Sequence, residues 1–244
     1  MRTLLIDGDI LAYQFASNAE VAVDWGDDLW TLHAYPGPAK EQLEAYIENL
    51  RDDLEAKKII IALSDPTGRY FRKDILPTYK SNRKNRKPLI LSVLKEHLEA
   101  VYGAYVRPGL EADDCLGILA TAHKIIPGEK VIVSLDKDLK TIPGLHYRMD
   151  GKAIFEVEEK EADYWHLYQT LVGDAVDGFS GCPGVGPVKA SEILGEEPTW
   201  EAVVAAYRKA KLTEEDALIQ ARVARICRAS DYDFKAKKVK LWTP

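Results

Sequence analysis

Short apolar runs alternate with amphipathic segments along the first two thirds of the chain. Strand-length runs stand at residues 3–6, 58–64 and 131–135. Apolar positions with helical spacing predict helices at about 43–54, 88–101 and 112–124, and a further short strand is predicted at 104–106. Because strands and helices alternate, the pattern predicts an α/β fold with a twisted, mainly parallel sheet flanked by helices.

Two segments depart from this alternation. Residues 21–33 alternate apolar and polar positions on either side of Gly26, which predicts a hairpin inserted after the first strand and helix. From residue 160 onward the pattern predicts only helices, including amphipathic helices near 199–209 and 213–229. A glycine-rich segment at 181–187 interrupts these helices.

The composition is typical of a soluble globular protein. Of 244 residues, 46% are apolar and 30% are charged, and the longest apolar runs are too short to cross a bilayer. Asp7 interrupts the first apolar run, so no secretory signal is predicted there. The widely spaced Cys115, Cys182 and Cys227 indicate inert thiols in a reducing compartment, and we expect a cytoplasmic protein.

The distribution of charge is more informative than its sum. Although the net charge is -6, lysine and arginine are concentrated in two places. The first contains Lys80, Arg83, Lys84, Arg86 and Lys87, and the second contains Lys235, Lys237, Lys238 and Lys240. Residues 79–87, called here the basic segment, have no apolar face and are followed by Pro88, so we expect them to be exposed.

Acidic side chains recur where the predicted strands end and helices begin. Asp7, Asp65 and Asp136 directly follow strand-length runs. Six more acids stand at other turn points, namely Glu111, Asp113, Asp114, Asp138, Asp174 and Asp177. An open α/β sheet places its strand ends side by side in one crevice, so we expect these carboxylates to share it.

A set of anions in one crevice requires a compensating cation, because mutual repulsion and lost hydration both oppose the charged forms. Oxygen ligands without histidine or cysteine favour Mg²⁺ or Mn²⁺. Each acidic pair taken alone would more often be a helix cap or a solvated surface, and Asp9 is given no ligand role. The whole set predicts a divalent-metal site for phosphate chemistry.

Several short motifs stand in an order that resembles a known family. They are Leu5-Ile6-Asp7-Gly8, Ser64-Asp65 with Gly68, Phe71 and Arg72, Leu76 to Arg83, Gly109 to Asp114, Ser134 to Asp138, and Gly173 to Asp177 followed by Gly181 to Ala190. The chain resembles the phage and bacterial 5′-nucleases, which comprise flap endonucleases and 5′→3′ exonucleases. The resemblance implies a PIN-like nuclease domain over residues 1–160, with a short basic arch at about 70–90. It also implies a helical helix–hairpin–helix region over residues 161–244, packed with the first domain as one unit.

The resemblance further implies two metal ions in one acidic pocket, Mg²⁺ by preference with Mn²⁺ as a substitute. The first ion and its shell are assigned Asp7, Asp65, Glu111, Asp113 and Asp114. The second ion is assigned Asp136, Asp138, Asp174 and Asp177, with Asp114 placed between the two ions. Such a pair activates water and stabilises the leaving oxygen, so no protein nucleophile is needed.

The expected DNA contacts come from the basic segment and the glycine-rich segment. Lys80 and Arg83 lie three residues apart, so on an arch helix they would project to one side and grip the scissile phosphate; a solvated basic surface is the alternative. By resemblance Arg72 contacts phosphate, and Tyr79 either stacks on a terminal base or packs in the ordinary way. The remaining expected contacts are Lys84, Arg86, Lys87, Gly184, Gly186 and Lys189.

The glycine-rich segment precedes a predicted helix whose N-terminus would bind a DNA phosphate. It resembles the family's helix–hairpin–helix, which implies a potassium ion held by backbone carbonyls. The chain departs from the family in two ways. Lys189 comes one position later than the lysine of many relatives, and the short arch leaves open whether a flap threads through it or an end is clamped.

The sequence therefore predicts a metal-dependent 5′-nuclease that cuts DNA at or near free 5′ ends, with exonuclease and flap-endonuclease activity both open. The expected substrates are duplex or flap DNA, with RNA–DNA primer junctions as a further candidate and no membrane partner. The short chain without a polymerase module resembles a phage enzyme, which would act as a monomer in the host cytoplasm during DNA replication or repair.

Two rival functions remain at this point. Asp7-Gly8-Asp9 after an apolar strand suggests a haloacid-dehalogenase-type phosphatase with Asp7 as nucleophile, but that function leaves the basic and glycine-rich segments without a role. A non-catalytic branched-DNA-binding module is the second rival. It is disfavoured because a protein that only binds a polyanion gains nothing from so many carboxylates.

Overall fold

The computed structural model describes residues 1–151 and 153–244. The strands are β1 (Arg2–Asp7), β2 (Glu20–Asp24), β3 (Trp30–Ala34), β4 (Lys58–Ala62), β5 (Glu129–Ser134), β6 (Gly144–Arg148), β7 (Ala153–Val157), β8 (Tyr232–Asp233) and β9 (Lys238–Val239). The helices are α1 (Gly8–Asn18), α2 (Pro36–Asp53), α3 (Phe71–Ile75), α4 (Leu91–Tyr102), α5 (Ala112–Thr121), α6 (Glu159–Val172), α7 (Pro187–Leu194), α8 (Trp200–Lys209) and α9 (Glu214–Ala224). Short 3₁₀ helices lie at Lys137–Thr141 and Ala229–Asp231. Among the described residues, no helix has both the length and the apolar content needed to cross a membrane.

The main sheet has the strand order β4-β1-β5-β6-β7. Its first four strands are parallel, and β7 is antiparallel to β6, so the prediction of a mainly parallel sheet is confirmed. In the middle of this sheet, Leu5 of β1 pairs with Ile60 on one side and with Ile132 on the other. The carboxyl ends of β1, β4 and β5 therefore share one edge, which is where ligands bind in open α/β sheets.

Alternate residues of β1 face two hydrophobic layers, as the two-residue period of a strand requires. Leu4 and Ile6 are buried with residues of α1, α2 and α4, whereas Leu5 is buried with residues of α5. Gly8 begins α1 directly against β4, where a Cβ would come within 2.8 Å of the Ala62 carbonyl oxygen. This close approach turns the chain away from the sheet as soon as β1 ends.

The helices α6 to α9 enclose a third hydrophobic layer. Its largest buried side chain is Tyr207, whose hydroxyl donates to the Thr170 carbonyl at 2.7 Å. After α9 the chain runs back to the hydrophobic layer around α5, where Ile226, Cys227 and Tyr232 are buried. The proposed limits of the two domains, 1–160 and 161–244, remain a prediction.

Several predicted elements differ in extent from the observed ones. The predicted strand at 104–106 is reduced to a single bridge between Tyr105 and Ala62. The helix predicted to reach residue 229 ends at Ala224. The extended chain that follows uses its backbone groups to bind buried side chains: the Arg225 carbonyl accepts from Arg72, and the Cys227 N–H donates to Asp114. The expectation of helices alone after residue 160 is wrong, since β8 and β9 form a small antiparallel pair there.

The basic segment is the largest departure from the predicted secondary structure. In the part of the chain that the structure describes, no helix lies between Ile75 and Leu91, so the helical form of the arch considered above is not the one observed. Lys80 has a φ of 55°, which a right-handed helix does not contain. The far end of the segment is tied to the β2–β3 hairpin, because Arg86 forms a bidentate ion pair with Glu20 at 2.8 and 2.6 Å.

Candidate active site

Asp7 lies at the shared edge of the sheet, and two hydrogen bonds fix its carboxylate. Oδ1 accepts from the backbone N–H of Ile10 at 3.1 Å, and Oδ2 accepts from the Ser134 hydroxyl at 2.8 Å. The same hydroxyl accepts from the backbone N–H of Asp136 at 3.0 Å. Ser134 therefore connects the ends of β1 and β5 and brings Asp7 close to Asp136.

Asp7, Asp113, Asp136 and Asp138 form the acidic cluster, in which neighbouring charges oppose ionisation. Burial, with the charges of Asp9 and Asp136, raises the pKa of Asp7 to about 7. Burial and the charges of Asp7 and Asp136 raise the pKa of Asp113 well above its usual range. Burial and the charge of Asp136 raise the pKa of Asp138 to about 6. A cation bound among these side chains would relieve both their repulsion and their lost hydration.

The loop from Asp174 to Phe179 brings a further pair of carboxylates to this edge. The backbone groups of Asp174 and Phe179 exchange two hydrogen bonds of 2.8 and 3.0 Å, which closes the loop. Asp174 Oδ1 then accepts from the backbone N–H groups of Val176 at 2.7 Å and Asp177 at 3.2 Å. The charges of Asp174 and Asp177 contribute to the raised pKa of Asp138, so this loop extends the acidic cluster.

Arg72 is buried between the start of α5 and the end of α9. Nη1 lies 3.0 Å from Glu111 Oε2 and 2.6 Å from Asp114 Oδ2, and Nη2 lies 2.7 Å from Asp114 Oδ1. Nε donates to the Val223 carbonyl at 2.8 Å, and Nη2 donates to the Arg225 carbonyl at 2.6 Å. A guanidinium has five N–H donors, and these contacts occupy all five. The expectation that Arg72 contacts phosphate is therefore wrong, because its side chain is only 3% exposed and has no donor left.

Asp114 is held inside the protein. Besides the two contacts with Arg72, its carboxylate accepts from the backbone N–H groups of Cys227 at 3.0 Å and Glu111 at 3.2 Å. Burial alone would raise the pKa of Asp114, but the charge and hydrogen bonds of Arg72 outweigh it and lower the pKa. A position between two metal ions does not fit this geometry, since both oxygens already accept two hydrogen bonds each.

Glu111 and Asp177 are compensated by groups of the basic segment. Lys80 Nζ forms ion pairs with Glu111 and with Asp177, the second at 3.4 Å. Arg83 also pairs with Asp177 and keeps half of its side chain exposed. Lys80 and Arg83 therefore lie side by side above the acids, as predicted, although turns rather than a helix place them there.

Tyr79 packs in the core and does not offer its ring to a base. Its side chain is 4% exposed and lies with Phe179, Val223 and Ala224. Its hydroxyl donates to Glu111 Oε2 at 2.8 Å, which helps to orient that carboxylate. Of the two functions left open by the sequence, ordinary packing is the one that the structure shows.

Asp65 lies at the end of β4, but its carboxylate organises a loop. Oδ1 accepts from the backbone N–H of Thr67 at 2.9 Å and from its hydroxyl at 2.8 Å, and Oδ2 accepts from the Gly109 N–H at 2.7 Å. Burial opposes the charge of Asp65, yet these hydrogen bonds outweigh it and lower the pKa. Oδ1 thus accepts two hydrogen bonds and Oδ2 only one, and the assignment of Asp65 to the first metal ion remains a prediction.

The acids are brought together without being arranged as ligands of one ion. In residues 1–151 and 153–244, no three His, Cys, Asp or Glu side chains converge tightly enough to form a ready-made metal site. The charges of Asp7 and Asp136 oppose ionisation of Asp113, and Glu111, Asp114 and Asp177 are turned towards cationic side chains. The donor set still fits a divalent ion, because it consists of carboxylate oxygens whose charge a cation would balance.

The remaining predicted DNA contacts lie on the outside of the molecule. Lys84 and Lys87 are exposed on the basic segment, whereas Arg86 is engaged with Glu20. Gly184 has a φ of 73°, and its carbonyl accepts from Lys189 Nζ at 2.8 Å. Gly186 directly precedes α7, so the predicted backbone approach to a helix N-terminus is present.

Comparison with known proteins identifies the family. Residues 2–161 match the family described as 5′-3′ exonuclease, N-terminal resolvase-like domain. The chain belongs to this 5′-3′ exonuclease family. It is 32% identical to the exonuclease of Escherichia phage T7, over 99% of this chain and 93% of that protein.

Solved structures with low sequence identity share the fold. The T5 5′-exonuclease with bound divalent zinc ions matches with a TM-score of 0.70 and 15% identity, over 92% of this chain and 89% of that chain. The bacteriophage T5 flap endonuclease in a complex with DNA and metal ions matches with a TM-score of 0.69 and 15% identity, again over 92% and 89%. The family predicted from the motifs is thus confirmed, and so is the predicted PIN-like class of fold.

Two site residues of this exonuclease family member stand in the sequence motifs but were given no role there. Ser134 orients Asp7, and Ser64 Oγ accepts from the Ala112 N–H at 2.9 Å at the start of α5. Both serines stand at a strand end immediately before a predicted acid motif, and that repeated position was the available signal. For Arg72, by contrast, the sequence contains the motif but no indication that the side chain is buried.

Proposed function

We propose that this protein is a divalent-metal-dependent 5′-nuclease that hydrolyses DNA phosphodiester bonds at or near free 5′ ends. The carrying observation is the acidic cluster, in which Asp7, Asp113 and Asp138 have raised pKa values. Lys80 and Arg83 pair with the neighbouring acids, Lys80 with Glu111 and Asp177 and Arg83 with Asp177. An array of oxygen ligands beside cationic side chains is suited to phosphate chemistry. Membership of the 5′-3′ exonuclease family supports the same reaction.

The residues that would hold metal are those of the acidic cluster, with Asp174, Asp177 and Glu111 at its margin. Bound divalent ions would activate the attacking water and stabilise the leaving oxygen. Binding of two ions, and of Mg²⁺ in particular with Mn²⁺ as a substitute, is part of the proposal. The metal ions bound by the T5 relatives support a divalent cofactor of this kind.

The chain itself would position the substrate and the ligands. Ser134 and the N–H of Ile10 hold Asp7 in one orientation, while Tyr79 and Arg72 hold Glu111. Lys80 and Arg83 are the cationic groups placed to bind the scissile phosphate and to stabilise charge that develops on it. No serine or cysteine nucleophile is required by this scheme.

The outer contacts would bind the rest of the DNA. Lys84, Lys87 and the Gly184-to-Lys189 hairpin supply charge and backbone donors for phosphates of a duplex or flap. A potassium ion at the hairpin, cleavage at RNA–DNA primer junctions, and action as a monomer in the host cytoplasm during phage DNA replication or repair are further parts of the proposal. The DNA bound to the T5 flap endonuclease relative supports DNA as partner.

The phosphatase rival would need Asp7 as a covalent nucleophile, and it gives no role to Lys80, Arg83 or the Gly184-to-Lys189 hairpin. Membership of the 5′-3′ exonuclease family also supports the nuclease. The binding-module rival leaves the repulsion within the acidic cluster without a purpose. Neither rival is favoured by an observation of its own.

The deciding experiment is cleavage of 5′-labelled flap, blunt duplex and single-stranded DNA with Mg²⁺ and then with a chelator. We expect metal-dependent products from the 5′ end, and their lengths distinguish exonuclease from flap-endonuclease cutting. Asp136→Asn is the matched catalytic control, and it should be inactive on all three substrates. Cleavage that persists in the chelator, or no cleavage with either Mg²⁺ or Mn²⁺, would contradict the proposal.

A further inference from the structure

Lys80 is held inside the site by three different contacts. Its ammonium pairs with Glu111 and with Asp177, and it lies 5.0 Å from the centre of the Tyr79 ring. Only 13% of the side chain is exposed. In this arrangement the ammonium donates to carboxylates. To bind a substrate phosphate, Lys80 would have to direct these donors to the phosphate instead.

The backbone around Lys80 enforces this position. Its φ of 55° lies in the left-handed region, which is strained for a residue with a Cβ. Its N–H donates to the Asp177 carbonyl at 2.8 Å. Gly178 packs so closely that a Cβ there would lie 2.8 Å from the Thr78 carbonyl oxygen. The turn that carries Lys80 is thus docked on the loop that carries Asp177.

The charge of Lys80 also reaches the acidic cluster. It favours the ionised form of Asp113, which otherwise meets the charges of Asp7, Asp136 and Glu111. Burial opposes the charge of Lys80, but Glu111, Asp177 and Asp113 outweigh it and raise the pKa of Lys80. Lys80 therefore supplies positive charge where the acids need it before any metal ion is bound.

We propose that Lys80 is an internal counter-cation of the site, held by Glu111 and Asp177 until a divalent ion binds, and that this exchange releases its ammonium towards the phosphate. This inference rests on the proposed function. It adds an ordering device, because the lysine becomes available to substrate only when the metal has replaced it. Linkage requires the reverse effect as well, so the bound ammonium must weaken metal binding.

The test measures Mn²⁺ binding to the full chain without DNA, by the electron paramagnetic resonance signal of free Mn²⁺. We compare the wild type with Lys80→Met, which removes the charge and keeps an apolar stem of similar length. Lys73→Met is the matched control, because Lys73 is an exposed lysine nearby that donates to the Gly68 carbonyl at 2.8 Å. The expected result is Mn²⁺ affinity about tenfold higher for Lys80→Met and changed less than twofold for Lys73→Met.

A second readout follows the ammonium directly. Lysines of the folded protein are ¹³C-dimethylated, which retains their charge, and the Lys80 resonance is identified by its loss in Lys80→Met. Saturating Mg²⁺ should shift this resonance, while the Lys73 resonance stays in place. An unshifted Lys80 resonance at saturating Mg²⁺ would overturn the exchange.

The failures of the two proposals are distinguishable. If the wild type binds Mn²⁺ and Asp136→Asn does not, the metal site is established. Equal affinities of Lys80→Met and Lys73→Met would then overturn the counter-cation alone. If the wild type binds no Mn²⁺, or if Asp136→Asn binds it equally well, both the metal site and the exchange are overturned.

Discussion

Arg72 and Asp114 form a bidentate ion pair in the protein interior, with Nη1 2.6 Å from Oδ2 and Nη2 2.7 Å from Oδ1. The pair joins α5 to the chain that leaves α9, because Arg72 also binds the Arg225 carbonyl and Asp114 binds the Cys227 N–H. Arg72 Nη1 also lies 3.0 Å from Glu111 Oε2, so this buried pair helps to orient one acid of the site.

Removal of Arg72 should destabilise the fold severely. Arg72→Ala leaves Asp114 buried without its partner, and such a loss costs about 3–5 kcal/mol of unfolding free energy. Denaturant unfolding at pH 7 measures this change. Arg83→Ala is the comparison, since the exposed Arg83–Asp177 pair should contribute only about 0–1 kcal/mol. Similar losses in the two variants would show that Arg72 is not the structural anchor described above.

The order of strands and helices could be predicted because the local pattern of apolar and polar residues indicates it. Leu4 and Ile6 alternate with Leu5 within one strand, and that pattern already assigns their faces. The meeting of Asp7 with Asp136 followed from topology, since parallel strands end at one edge. No detail of side-chain geometry was needed for either prediction.

The contacts of Arg72 could not be predicted because its partners are remote in sequence. It donates to the Val223 carbonyl, 151 residues away, and nothing in the motif around Arg72 indicates that approach. The basic segment forms no helix for a related reason. The turn at Lys80 is set by docking on the loop at Asp177 and Gly178, and sequence periodicity contains no signal for such docking.

Replacement of Asp136 should separate chemistry from binding. Asp136→Asn removes a charge from the acidic cluster while the amide can still accept from the Asp138 N–H, which lies 2.8 Å from Oδ1. We expect single-turnover cleavage to fall by at least about a thousandfold, with DNA affinity within a few fold of the wild type. Quenched-flow cleavage and fluorescence anisotropy measure the two quantities.

The control for Asp136 is an acid outside the cluster. Asp150 is exposed and pairs with Arg148 at 2.6 Å, so Asp150→Asn should retain normal cleavage. A wild-type rate in Asp136→Asn would remove Asp136 from the metal site. Loss of DNA binding in Asp136→Asn would show instead that the side chain supports the DNA-binding surface.

Lys80 should contribute to the chemical step. Lys80→Ala removes the cation placed to stabilise developing phosphate charge, and loss of one such group typically costs about 10²–10³ in rate. Rates are measured in single turnovers at saturating Mg²⁺, so that weaker or tighter metal binding does not enter. Lys73→Ala should keep the wild-type rate. If Lys80→Ala also does, Lys80 has no part in the chemical step.

His166 should lower the free energy of unfolding in mild acid, whereas Asp7 and Asp138, whose pKa values are raised in the folded state, act in the opposite direction. The His166 ring is buried and its Nε2 lies 2.9 Å from the Ala221 carbonyl oxygen. Burial, reinforced by the charge of Arg225, lowers the pKa of His166 to about 3. The unfolded chain has an ordinary histidine pKa of about 6.5. Between about pH 6.5 and pH 3 the unfolded state binds a proton at His166 and the native state does not. This contribution to the free energy of unfolding therefore falls as the pH falls.

The size of this effect follows from the two pKa values. Each pH unit below 6.5 removes about 1.4 kcal/mol, so His166 alone should account for about 2 kcal/mol between pH 6.5 and pH 5. Urea unfolding of the wild type and of His166→Gln, whose amide can still donate to Ala221, tests this. His166→Gln should lack this loss but retain the part due to His146, whose pKa burial also lowers, and the opposite parts due to Asp7 and Asp138. Parallel curves for the two proteins would mean that His166 is already protonated in the folded state, and the neutral, buried imidazole would then have to be abandoned.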